Sequence, residues 1–153
     1  MMYKKFMRGL MLTTLMLAGC LGLTSCDLGD GIEVELDGYW HLYQVDTLAT
    51  GGRYMMERQT VFWSIEDNIL ETKILPYKMI FFRFELEGDD LRLFAPMGSK
   101  DPTASNMDFP IDDPTRLYDY GVHSLDAKFK IKKHTRKQLW IEDKMLKLYF
   151  ERY

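Results

Sequence analysis

The chain has 153 residues, with 20 Lys and Arg against 23 Asp and Glu, for a net charge of −3. That length holds one hydrophobic core, and the acidic balance argues against general nucleic-acid binding. Both cysteines, Cys20 and Cys26, lie near the N-terminus, so no disulfide can staple the remainder, and the fold must rest on its core.

The first element is a leader. Lys4, Lys5 and Arg8 precede a run from Gly9 to Ser25 that carries no charge and is rich in Leu and Met. A basic start, an apolar stretch and a small-residue site are the pattern of a secretory signal. Leu17-Ala18-Gly19-Cys20 and Leu23-Thr24-Ser25-Cys26 both resemble the lipobox of bacterial lipoproteins, and Ser25-Cys26-Asp27 resembles lipoproteins of the Bacteroidetes. In such proteins the cysteine becomes the acylated first residue of the mature chain. Processing at Cys20 would leave Cys26 as a lone thiol in an oxidising compartment, whereas processing at Cys26 leaves none. The reading therefore favours Cys26 as the lipidated residue, with Cys20 as the alternative. It implies residues 1–25 as a signal peptide, 26–35 as the lipidated cysteine and a tether, and 36–153 as the folded domain. Two or more acyl chains hold a protein stably in a membrane, and the resemblance implies a cell-envelope, outer-membrane lipoprotein facing the periplasm or the cell surface. Loss of Lys4, Lys5 and Arg8 leaves 17 cationic residues against 23 acidic.

From there the dominant signal is alternation with a period of two, the mark of half-buried strands. Val61, Trp63 and Ile65 form one such face. Ile80, Phe82, Phe84 and Leu86 form another, opposite Arg83, Glu85 and Glu87. Ala127, Phe129 and Ile131 alternate with Lys128, Lys130 and Lys132, and Leu146, Leu148 and Phe150 alternate with Lys147, Tyr149 and Glu151. Shorter strands are predicted at 69–75, 91–95 and 138–142. Brief polar connectors such as Glu66-Asp67-Asn68 and Glu87-Gly88-Asp89-Asp90 read as hairpin turns. No segment shows a long helical period. Many short strands joined by tight turns predict an all-β domain, either a closed antiparallel barrel or a β-sandwich.

Residues 96–116 interrupt the rhythm with four of the five prolines, Pro96, Pro102, Pro110 and Pro114. Proline cannot donate to a ladder, so the stretch is expected to be a loop, either a lid over a barrel mouth or a mobile insertion.

Gly38-Tyr39-Trp40 opens the folded domain with a Gly-x-Trp on the first strand. With the strand cadence that ends in Leu148-Tyr149-Phe150-Glu151-Arg152, it resembles the lipocalin-like domains of Bacteroidetes lipoproteins. The resemblance implies an up-and-down barrel of about eight antiparallel strands, with Trp40 packed at its closed end. It also implies an Arg over that Trp, and Arg152 lies in the matching region. A barrel of this size is either filled by side chains or holds one small ligand.

Two functions remain in view. One is a lipid-anchored, lipocalin-like module that binds a small apolar ligand, with Trp63, Phe82, Phe84 and Phe129 lining the pocket. The other is a structural or protein-interaction module of the envelope with a filled barrel. No phosphate loop, nucleotide-binding glycine motif or Gly-x-Ser-x-Gly occurs, so no catalytic residue and no cofactor are assigned. His41, His123 and His134 lack metal-ligand spacing. Asp89-Asp90 and Asp112-Asp113 read as solvated turn acids, and the basic run 128–137 as the solvated face of a hairpin.

Overall fold

The computed structural model describes residues 35–56, 61–74, 78–100 and 109–153. The leader, Cys20, Cys26 and most of the tether lie outside the described residues, as do residues 101–108 of the proline-rich stretch. The folded unit runs Glu33–Tyr153.

Among the described residues ten strands form in chain order: β1 (Gly38–Thr47), β2 (Gly52–Met55), β3 (Val61–Glu66), β4 (Ile69–Ile74), β5 (Lys78–Glu87), β6 (Asp90–Gly98), β7 (Phe109–Pro110), β8 (Ala127–His134), β9 (Gln138–Glu142) and β10 (Leu146–Arg152). A 3-10 helix, Pro114–Tyr120, lies between β7 and β8. Eight strands pair in the order β10-β9-β8-β6-β5-β4-β3-β1, and β10 pairs again with β1. That last ladder runs antiparallel from Trp40 opposite Arg152 to Thr47 opposite Leu146. The sheet is therefore a closed up-and-down barrel, which rules out the sandwich.

The alternation read from the sequence sets the inside of the ring. Val61, Trp63 and Ile65 of β3, Ile80 and Phe82 of β5, Phe129 and Ile131 of β8, and Leu148 and Phe150 of β10 all point into one core. The Trp63 ring packs 4.7 Å from Phe150 and 6.1 Å from Phe129 between centroids. Burial of these rings supplies most of the drive to close the barrel, at roughly 25 cal/mol per Å² of apolar surface. Outside, Phe62 is also buried, because Tyr39 stacks on it at 4.9 Å and Tyr153 meets its edge at 5.3 Å.

Two features correct the reading of residues 96–116 as a loop. Pro96 lies within β6 rather than beyond a strand end. Phe82 of β5 faces two residues of β6, Ala95 and Pro96, since the register shifts between Phe81 and Arg83. Ala95 takes a φ of 50°. This is a β-bulge, one of the few places where a sheet tolerates proline. β7 then pairs with the end of β6, Met97 opposite Pro110, beyond the point where β8 stops pairing at Leu93.

β2 extends the ring in a similar way. It pairs with the second half of β1, and β3 pairs with the first half. Three register shifts, one on β1 at Tyr43, one on β6 at Ala95-Pro96 and one on β8 at Lys132, bend the strands as closure requires.

One pole of the barrel is plugged. Trp40 is fully buried and its indole Nε1–H donates to the Leu36 carbonyl at 2.8 Å. The Arg152 guanidinium lies 5.3 Å from the Trp40 ring centroid and donates to the Asp37 carbonyl. Gly38 is what admits it: with φ at 144°, a Cβ on Gly38 would sit 2.5 Å from Arg152 Nη2. His134 closes the same pole, its ring 6.0 Å from Trp40.

Replacing Gly38 by Ala is expected to push Arg152 off Trp40 and to lower the unfolding free energy by about 1–3 kcal/mol. Urea unfolding reads this, and an unchanged midpoint would contradict the role given to Gly38. A second expectation concerns pH. Burial, reinforced by the nearby Arg152 charge and opposed by Glu35, holds the His134 pKa below its ordinary 6.5. The unfolded chain then binds the proton more readily, so His134 costs no stability above about pH 6.5 and lowers it as pH falls toward the folded value. His134→Gln should flatten the fall in Tm between about pH 6.5 and 5. A Tm profile that keeps the wild-type slope would sink this assignment.

Candidate functional site

Among the described residues, the opposite pole is open. A cleft of about 610 Å³ lies there, lined among the described residues by Leu42 and Val45 of β1, Tyr54 of β2, Met56, Val61 of β3, Ile74 of β4, Lys78 of β5, Tyr118 and Asp119 of the helix, Gly121, His123 and Leu146 of β10. The strands end here with aliphatic side chains, whereas deeper in the barrel Trp63, Phe82, Phe129 and Phe150 fill the ring. The cleft is therefore an apolar cup at the mouth, beyond a ring interior packed with aromatic side chains. Its volume is within the range of small-molecule sites, as is its make-up of apolar walls with a few polar groups.

The 3-10 helix forms one wall. Asp113 caps it, its Oδ1 accepting from Thr115 N–H at 2.9 Å and from Thr115 Oγ1 at 2.7 Å. Pro114 stands in its first turn, where a missing N–H costs nothing. Gly121 ends it at φ 81°, a left-handed turn that favours glycine, and its N–H donates to the Tyr118 carbonyl at 3.0 Å. Leu117 and Tyr120 pin the helix to the core, and the Trp63 indole donates to the Tyr120 carbonyl at 3.3 Å. Burial, helped by the charge of Asp119 and opposed by Arg116, pushes the Tyr120 phenol up to about 12, so it stays neutral at physiological pH.

At the rim, Lys78 Nζ lies 3.9 Å from Asp119 Oδ2, bridging β5 and the helix. The His123 ring packs 4.8 Å from that of Tyr118. Tyr118 is exposed and His123 half-buried, and both are able to meet the polar end of a molecule whose apolar part fills the cup. A larger concavity, about 800 Å³, lies beyond the plugged pole. Its lining among the described residues, Thr135, Arg136, Lys137, Gln138, Glu151 and Arg152, consists of polar and charged residues.

A family model described as the lipocalin-like domain matches residues 21–153. The chain belongs to the lipocalin-like family. Two solved structures share its fold. A lipocalin-like protein from Bacteroides uniformis is 17% identical, with a TM-score of 0.58, over 77% of this chain and 98% of that one. An uncharacterized protein from Bacteroides eggerthii is 15% identical, with a TM-score of 0.58, over 76% of this chain and 98% of that one. No curated protein matches.

In this lipocalin-like barrel, the residues expected to line a pocket stand elsewhere. Trp63, Phe82 and Phe129 are almost fully buried in the packed interior, and Phe84 is half-buried against the same core. None of the four lines the cleft. Alternation identifies inward positions, but does not say at which height along the barrel each one lies. The mouth residues Leu42, Val61 and Leu146 carry the same inward signal as the packed interior, whereas Val45 is turned inward by the bulge at Tyr43, which alternation from Trp40 and Leu42 does not reveal. Only smaller size distinguishes Leu42, Val61 and Leu146.

The charged motifs are accounted for locally. Lys130 Nζ meets Asp89 Oδ1 at 2.5 Å and Asp90 Oδ2 at 3.2 Å. The Lys130 hydrogen bond holds the Asp89 carboxyl below the usual range. Lys132 pairs with Glu142 at 3.8 Å, and Lys133 Nζ donates to Gln138 at 2.7 Å. His41 lies 3.2 Å from Glu151. Among the described residues, no three His, Cys, Asp or Glu side chains are grouped as metal ligands.

Proposed function

We propose that this protein is a non-enzymatic, lipid-anchored lipoprotein of the cell envelope whose barrel binds a small apolar ligand at its mouth. The observation that carries the ligand reading is the open cleft of about 610 Å³, walled by Leu42, Val45, Met56, Val61, Ile74 and Leu146. Burying an apolar molecule there is favourable in proportion to the area removed from water. Lys78, Tyr118, Asp119 and His123 at the rim supply orientation. The anchor reading rests on the sequence, on the paired lipobox-like sites and on Cys26 as the residue whose processing leaves no free thiol. The packed aromatic interior supports a second reading, an interaction module that holds no ligand.

Residues 27–153, produced without lipid and exposed to a bacterial lipid and metabolite extract, are expected to carry a discrete added mass in native mass spectrometry. Val45→Trp should fill the cup and abolish that mass, while Lys128→Ala, on the outer face, should retain it. A bare wild-type mass would favour the interaction module. For the anchor, the mature chain extracted from cell envelopes should begin at an acylated Cys26, and Cys26→Ala should abolish acyl labelling. Labelling that survives Cys26→Ala and disappears with Cys20→Ala would transfer the anchor to Cys20.

A further inference from the structure

Large apolar side chains that stand in water are unevenly distributed on this barrel. Among the described residues seven are exposed, and four of them, Leu48, Tyr54, Tyr118 and Met145, surround the mouth. Tyr54 and Tyr118 line the cleft itself. Leu48 and Met145 crown the adjoining wall, where the Leu48 N–H donates to the Met145 carbonyl at 2.8 Å. The turn that presents Met145 is held in shape: Asp143 Oδ1 accepts from the Met145 and Leu146 amides at 2.7 and 2.6 Å. Lys144 is exposed in that same turn. Lys78 and Arg53 stand nearby with side chains 56% and 65% exposed.

We propose that this rim docks on an anionic lipid bilayer, mouth toward the membrane. Leu48 and Met145 would enter the apolar boundary, Tyr54 and Tyr118 would sit at headgroup level, and Lys144, Lys78 and Arg53 would meet lipid phosphates. Apolar tips, interfacial aromatics and flanking cations are what peripheral binding needs, because affinity grows with buried apolar area and with attraction to anionic lipid. Asp46 pairs with Arg53 and Asp119 with Lys78, so on docking these two cations would exchange a carboxylate for a lipid phosphate, whereas Lys144 stands outside both pairs and Asp143 accepts from its own turn. Geometry allows docking even for a chain acylated at Cys26. The ten residues from Cys26 to Leu36 reach at most about 35 Å, and a ten-residue strand such as β1 spans about 33 Å. The mouth can therefore touch the leaflet that holds the anchor. Docking goes beyond the ligand reading and requires neither ligand nor acyl chain.

The barrel closes between Gly38 and Arg152, so unacylated residues 27–153 form a complete folding unit for the test. They are expected to float with vesicles of phosphatidylethanolamine and phosphatidylglycerol and to be released by salt. Leu48→Ser with Met145→Ser should weaken partitioning by about tenfold or more with the unfolding midpoint kept. Lys144→Glu, a surface change, should weaken it independently. Absence of flotation, or flotation that neither variant alters, would overturn the proposal. So would concentration-dependent dimerisation without vesicles that the rim variants abolish, since the rim would then bind a second copy of the chain. Acylation of Cys26 is read separately by mass, so loss of the anchor reading and loss of docking are distinguishable.

Discussion

The pairing of β1 with β10 is the constraint on which the rest of the structure depends. An open sheet of these strands would present two long unpaired edges and would bury one face poorly. Closure satisfies the backbone groups of both end strands and divides the side chains into those that face the axis and those that face water. It also creates two poles, which the sequence treats differently. At one, Trp40, Arg152, Gly38 and His134 interlock. At the other, the strand ends carry aliphatic side chains and leave the cup.

That difference between the poles follows from side-chain volume. An eight-stranded ring has an interior that side chains just fill. Trp40, Trp63, Phe82, Phe129 and Phe150 fill the plugged pole and the middle of the ring. Leu42, Val45, Val61 and Ile74 are too small to do so at the mouth. The helix then walls one side of the opening instead of sealing it. Its position is fixed by Leu117, by Tyr120 and by the hydrogen bond from Trp63. Trp63, packed in the core below the cup, thus also anchors the helix that walls it.

Much of the barrel was legible in the chain. The inward faces of β3, β5, β8 and β10 coincide with the alternating residues, because a half-buried strand records its two environments at a spacing of two. Gly38 and Trp40 were legible as a motif, although the reason for Gly38, room for Arg152, depends on a strand more than a hundred residues away. Less was legible where pairing is short or irregular. β2 and β7 are four and two residues long and exist because a neighbouring strand offers free backbone groups. Pro96 argued against a strand, and the bulge with Ala95 reconciled the two. The 3-10 helix follows Asp113-Pro114, a cap and first turn that are readable in hindsight but too short to produce a helical period. Leu42, Val61 and Leu146 of the cleft were hidden among the core residues because they alternate alike, and Val45 was hidden because the bulge at Tyr43 turns it inward against the alternation.

The closing ladder has one further consequence. The last amide of the chain, Tyr153 N–H, donates to the Tyr39 carbonyl at 2.9 Å. The two ends of the folded domain are therefore neighbours, as they are in many compact domains. To the barrel, β1 and β10 are an adjacent pair like any other, and the missing link between them is a nick in an otherwise continuous ring. Exposed turns such as that of Arg136 and Lys137 offer other places for such a nick. What specifies this fold is the cyclic order of its strands, and a circularly permuted chain that kept that order would carry the same instructions.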